Sequence, residues 1–179
     1  NQIAAGYTQK LKKINSLLTA EAYYKWLNNL IEYREGAVLL LNDNYENELI
    51  EGKGDAYGVE LFLQKTSGKF TGWVGYTLSL ATRQFDGLNN GKKYFAKYDR
   101  RHDISLVGTY EFTKRFSFSA VWVYSTGQRF TAITGNFFMP NSALSNVDIL
   151  NIYSEKNAII LPPSHRLDIN FILKTKKRK

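Results

Sequence analysis

Between Gly52 and Leu80 the chain alternates apolar and polar positions two residues at a time. Tyr57, Val59, Leu61 and Leu63 fall on one face, and Gly58, Glu60, Phe62 and Gln64 on the other. Such alternation predicts a strand with one apolar face. Thr66-Ser67-Gly68-Lys69 follows as a tight turn, with glycine to take the unusual dihedral. The pattern then restarts. Gly72, Val74, Tyr76, Leu78 and Leu80 oppose Thr71, Trp73, Gly75, Thr77 and Ser79. This is a long antiparallel hairpin in which Phe62 and Trp73 are the exceptions, both near the turn. Each arm is as long as the roughly 9–11 tilted residues with which a β-strand crosses a bilayer. A hairpin of a soluble sandwich or barrel has the same pattern.

Further strands are predicted over 2–11, 16–27, 104–112, 115–126 and 167–173. In the second, Leu18, Ala20, Ala22, Tyr24 and Trp26 share a face, and the aromatic pair at its far end fits an interface girdle as well as a packed core. Seven strands result, joined by connections that run short, long, short, long, short, long. The long ones cover about 28–55, 81–103 and 127–166. They hold the apolar run Val38-Leu39-Leu40-Leu41, the turn signal Asn89-Asn90-Gly91, and all three prolines, Pro140, Pro162 and Pro163. Three long structureless connections are unusual in a soluble all-β domain. Outer-membrane barrels alternate short periplasmic turns with long extracellular loops. The expected fold is therefore all-β, an antiparallel transmembrane β-barrel segment. Its odd strand count, its abrupt start on strand-like sequence and its stop on a Lys/Arg run are those of a piece cut from a longer barrel. A soluble β-sandwich with loop-borne binding is the rival.

Composition narrows the chemistry. No apolar run reaches the roughly 18 residues of a transmembrane helix. The 179 residues contain no cysteine, which removes disulfides, thiolate catalysis and cysteine metal sites. The formal net charge is +8, and many of the cations flank the short turns: Lys10, Lys12, Lys13, Lys65, Lys69, Lys114 and Arg115. That fits contact with anionic headgroups, or plain solubility of turns.

Five segments carry a family resemblance: GKGDAYGVELFLQK, GKFTGWVGYTLS, YDRRHDISLVGTYEF, STGQRFT and SHRLDINF, in this order over roughly 50–173. Together they resemble the C-terminal barrel strands of TonB-dependent outer-membrane receptors, in the branch with a carboxypeptidase-regulatory-like N-terminal extension. The resemblance implies a 22-stranded barrel in the outer membrane of a Gram-negative cell, with residues 1–179 as a part of it. It implies an importer of a scarce nutrient of the siderophore, cobalamin, glycan or peptide class. A plug domain and an inner-membrane energy-coupling complex would act through an N-terminal part not seen here. Outer-membrane lipid and lipopolysaccharide would surround the barrel, with a surface lipoprotein as a further partner. The alternative is a non-transporting barrel subunit, a structural platform for a surface partner or assembly complex.

The candidate site residues follow from strand parity. Arg83, Asp99, Arg101, Arg166 and Asp168 point away from the apolar set and lie toward the long loops, as ligand contacts at the rim of a lumen. Glu21, Lys25 and Glu60 share that parity deeper in the sheet and are read as structural, holding neighbouring strands or a plug by ion pairs. A charge on the lipid side of a barrel costs about 2–4 kcal/mol for Arg or Lys at mid-membrane, which accounts for the shared parity by itself. Asp99, Arg100, Arg101 and Asp103, with Arg166 and Asp168, can form one ion-pair network. The two histidines, His102 and His165, each precede a strand but bring no further ligands, so no metal, cofactor or catalytic role is expected. No nucleophile–base–orienter set can be assembled, and no enzyme is expected. The basic run from Lys174 to Lys179 continues a strand in register, so nucleic acid is not an expected partner either.

Overall fold

The computed structural model describes residues 1–35, 37, 42–141 and 146–175. The strands in chain order are β1 (Gln2–Leu11), β2 (Ser16–Tyr33), β3 (Leu49–Lys65), β4 (Phe70–Phe85), β5 (Tyr94–Phe95), β6 (His102–Glu111), β7 (Phe116–Ser125), β8 (Arg129–Phe130), β9 (Ile133–Asn141), β10 (Asn146–Tyr153), β11 (Ile159–Ile160) and β12 (Ser164–Leu173). The main sheet is an antiparallel meander in the order β1-β2-β3-β4-β6-β7-β12, with β5 paired to β4 beside this path. Two small two-stranded sheets, β9 with β10 and β8 with β11, lie in the last long loop.

The register aligns the alternating patterns across the whole sheet. One transverse row reads Tyr7, Ala20, Leu61, Tyr76, Ile104, Tyr124 and His165. The next row on the same face reads Gln9, Leu18, Leu63, Val74, Leu106, Trp122 and Leu167. The opposite face carries rows such as Glu21, Glu60, Thr77, Asp103 and Ser125. A slip by one residue in any strand would invert that strand's faces, so the alternation fixes the pairing. The central turn falls at residues 66–69, with Gly68 at a φ of +99°. Phe62 and Trp73 meet on the polar face with ring centroids 5.6 Å apart, which is why both break the pattern.

The sheet is open. β1 pairs only with β2 and β12 only with β7, so the two ends of the path do not meet. This corrects the expected transmembrane barrel segment and its division into periplasmic turns and extracellular loops. Alternation and connection length specify a meander with one apolar face. Closure requires the first and last strands to pair with a consistent stagger, and no local pattern encodes that. No helix among the described residues is long and apolar enough to cross a membrane.

The strands also run further than the pattern indicates. β2 passes a bulge between Leu27 and Leu30, where Asn29 takes a left-handed φ of 55°. The bulge flips the parity, so the alternation is lost to inspection after residue 27, although pairing with β3 continues to Tyr33 opposite Leu49. The run Val38–Leu41 lies outside the described residues.

One layer of sheet buries little. The accessible surface is 13537 Å², whereas a compact monomer of this mass exposes about 8,900 Å². The residues of the apolar face account for much of the surplus: Val74 is 40% exposed, Leu61 42% and Phe171 66%. The described core is a small cluster of Phe85, Leu88 and Tyr94, with Leu30 and Ile50 packed against it. It forms at the end of the sheet where the three long loops gather.

Candidate functional site

Gly52 faces Phe85 across the β3–β4 ladder and Leu30 across β2–β3. A Cβ on Gly52 would run into the Phe85 ring. The bare backbone therefore lets Phe85 lie on the polar face, where Leu88, Tyr94, Leu30 and Ile50 close over it. This explains Gly52, while a Cβ on Gly54 would meet the Thr82 carbonyl oxygen; the pair does not sit in the strand–helix setting of a nucleotide loop.

Three loops build a cap on this cluster. The first, 34–48, is clamped by Arg34, whose Nη2 donates to Glu48 Oε1 at 2.8 Å. That hydrogen bond holds the Glu48 carboxyl below its usual range against the opposing effect of burial. The second loop, 86–101, is tied down by Lys93, whose Nζ donates to Asp55 Oδ2 at 2.6 Å; the Tyr24 hydroxyl donates to Oδ1 of the same carboxylate at 2.9 Å. These two hydrogen bonds, Lys93 first, hold the Asp55 carboxyl low. The third loop, 126–163, meets the second through Arg129 N donating to Lys97 O at 3.1 Å and Asn157 Nδ2 donating to Phe95 O at 2.9 Å.

Asp99 is the centre of the cap. β5 pairs β4 at Thr82 and Arg83, and β6 pairs it again from Leu78 onward. Between them residues 97–100 loop out, and the ladder has a gap. The Asp99 side chain fills it: Oδ1 accepts the Ala81 N–H at 2.8 Å. Oδ2 accepts from Arg129 Nε at 3.1 Å and lies 3.5 Å from Arg101 Nη2. The Asp99 side chain is 1% exposed and that of Arg129 12%. Arg129 also stacks on the Phe95 ring, 3.9 Å from its centroid, and Arg101 lies 5.5 Å from the same ring. A buried carboxylate thus holds two guanidiniums against one aromatic ring, satisfied by both charge and hydrogen bonds.

The expected site residues separate into groups. Asp99 and Arg101 are brought together. Arg83 lies in the same cap, 3.5 Å from Glu32. Arg166 and Asp168 pair with each other at 2.9 Å on the edge strand β12, with side chains 72% and 55% exposed. The single network expected from sequence is therefore at least two, and Arg100 turns aside to donate to Ser125 Oγ at 3.4 Å. Glu21 and Glu60 sit directly opposite each other in β2 and β3. Neither forms an ion pair among the described residues. Lys25 rests over the Tyr23 ring at 4.9 Å. His102 Nδ1 meets the Tyr76 hydroxyl at 2.9 Å on the apolar face, away from Asp99. Among the described residues no group of three or more His, Asp or Glu is placed to hold a metal ion.

Sequence reasoning missed Arg129, Phe95, Tyr94, Lys97 and Lys156. A pocket of about 380 Å³ is lined by Arg83, Tyr94, Lys97 and Lys156 together with Glu32 and Asn157. Burial, reinforced by the Glu32 carboxylate, pushes the Tyr94 phenol up to about 12. It therefore remains a neutral donor at physiological pH.

No family model, curated protein or solved structure matches the chain. The resemblance to TonB-dependent receptors thus finds no support from any of the comparisons, and the open sheet removes its structural premise. The importer, the barrel platform and the outer-membrane placement all rested on that premise and do not hold. The same is true of the partners it implied: outer-membrane lipid, lipopolysaccharide, plug domain, energy-coupling complex and surface lipoprotein.

Proposed function

We propose that this chain is a non-catalytic binding module whose recognition surface is the loop cap. The observation that supports this reading above others is the buried Asp99 carboxylate. It spends both oxygens on the cap itself, joining the broken β4 ladder to Arg129 and Arg101. Arg129 and Arg101 are thereby fixed in advance, and a ligand need not order those arginines on binding. In this reading Arg83 and Arg101 contact the ligand, and Asp99 positions Arg101. Arg166 and Asp168 are the weakest of the candidates, because each neutralises the other in solvent.

The absence of catalysis is part of the same proposal. It is supported by the placement of His102, which engages a phenol and has no nucleophile and carboxylate arranged around it among the described residues. The test is a thermal-shift screen of the purified chain against neutral sugars, amino acids and small organic acids, with each compound followed by NMR for chemical change. At least one class should raise Tm in the native chain and fail to do so in a chain carrying Arg83→Ala and Arg101→Ala. Binding that survives both substitutions would make the cap structural. Turnover of any compound would remove the non-catalytic part of the reading.

A further inference from the structure

The pocket between Arg83, Tyr94 and Lys156 has a composition that points to one class of ligand. Its lining contains three cations, Arg83, Lys97 and Lys156, against one carboxylate, Glu32. Little of that positive charge is spent. Arg83 makes one long contact with Glu32, at 3.5 Å, and a guanidinium has five donors to place. Lys97 Nζ lies 5.9 Å from the Tyr98 ring centroid and has no carboxylate within ion-pairing distance among the described residues. The same is true of Lys156, whose backbone N–H donates to Asn89 Oδ1 at 3.1 Å.

A second observation is independent of charge. Tyr94 is 6% exposed, and its hydroxyl is buried without a hydrogen-bond partner. Its ring is fixed in the core against Phe85, with centroids 6.4 Å apart. Buried hydroxyls are ordinarily satisfied, and this one belongs to a residue that lines the pocket, where an acceptor would complete it. The wall that carries Lys156 is held in place. Asn157 adopts a left-handed φ of 53°, and its N–H donates to Thr131 Oγ1 at 3.0 Å. Unspent cations and an unpaired hydroxyl donor both call for oxygen acceptors bearing negative charge.

We propose that this pocket is an oxyanion site, taking a small molecule through its phosphate or carboxylate group, with Arg83 and Lys156 as the principal contacts. The proposal rests on the reading of the cap as a recognition surface and adds the chemistry of the ligand. Phosphate and carboxylate share the planar or tetrahedral oxygen array that a guanidinium and ammonium groups hold. A volume of about 380 Å³ admits either on a small carrier.

The experiment is calorimetric titration of the native chain with inorganic phosphate and, separately, with succinate, at constant ionic strength set by sodium chloride. The two arms distinguish phosphate from carboxylate ligands, and binding in either arm supports the site. The double variant Arg83→Gln, Lys156→Gln should weaken that binding at least tenfold, with an unchanged circular dichroism spectrum. Tyr94→Phe, which keeps the packed ring, should weaken it a few-fold. Binding unchanged in the double variant would overturn the proposal. If neither anion binds while a neutral compound binds in an Arg101-dependent way, the oxyanion site is wrong and the binding module stands. If no compound of either kind binds, both fall.

Discussion

The cap and the sheet make opposite uses of apolar residues. In the cap, Phe85 and Leu88 are each 1% exposed, although the surrounding loops are short of regular structure. In the sheet, every strand of the path is paired to its neighbours, yet Leu61, Val74 and Phe171 remain 40% exposed or more. Backbone hydrogen bonds satisfy the strands, but a second layer is what buries side chains. The loops supply that layer over one end of the polar face, and no described residue supplies it over the apolar face. The difference shows that regularity of secondary structure and depth of packing are separate properties. In this molecule they reside in separate regions.

The largest expected effect lies in the cap. Asp99→Ala leaves the Ala81 N–H and two guanidiniums without their common acceptor. Breaking such a buried pair costs about 3–5 kcal/mol, measurable as a loss of urea stability. Asp99→Asn should recover part of it, because the amide oxygen can still accept the Ala81 N–H. A loss below 1 kcal/mol for the alanine variant would mean that solvent replaces the carboxylate and that the cap is not fixed by it.

The next effect is a dependence on alkaline pH. The Tyr94 phenol is pushed up to about 12 by burial, against about 10 in the unfolded chain. Below pH 10 both states hold the proton. Between pH 10 and about 12 the unfolded state loses it first, so stability falls with rising pH by roughly 1.4 kcal/mol per unit. Above the folded value no further loss comes from this group. Tyr94→Phe should remove this component, read as the difference between the two chains. Identical alkaline profiles would show that the hydroxyl is not held in a desolvated site.

The smallest effect belongs to the sheet. Glu21 and Glu60 face each other in β2 and β3. Like charges at directly paired positions are unfavourable, and an opposite pair gains about 0.2–1 kcal/mol. Glu60→Lys is therefore expected to raise the urea midpoint slightly, and more so at low salt. A lowered midpoint would show that Glu60 has a favourable partner that the geometry does not reveal.

How much of this was legible in the sequence depends on the range of the contact. Period-two alternation placed Tyr57, Val59 and Leu61 on one face with Val74, Tyr76 and Leu78, and the register agrees. Those residues settle their faces locally. Closure was not legible, since Leu61 alternates with its neighbours in the same way in an open or a closed sheet. The continuation of β2 past Asn29 was hidden by a bulge, for which the left-handed tolerance of asparagine was the available signal. β9 was hidden by Phe137-Phe138-Met139, which breaks alternation, and by Pro140, which a hairpin with a free edge tolerates. In the cap, Asp99 and Arg101 were visible as a charged run. Arg129 and Lys156 belong to a loop about thirty and nearly sixty residues further on, and no spacing rule relates such distant positions.

The central claim is that the deep packing of this chain lies under the cap while the apolar face of the sheet is left only half-buried by the described residues. The most direct measurement compares the urea stability of Phe85→Ala with that of Leu61→Ala. Phe85 lies in the core at 1% exposure and Leu61 on the sheet at 42%. Phe85→Ala is predicted to lose about 3–5 kcal/mol. Leu61→Ala is predicted to lose about 1 kcal/mol or less, since much of its side chain stays in water on folding and no packed cavity is left behind. Equal losses at the two positions, or a larger one at Leu61, would contradict the account.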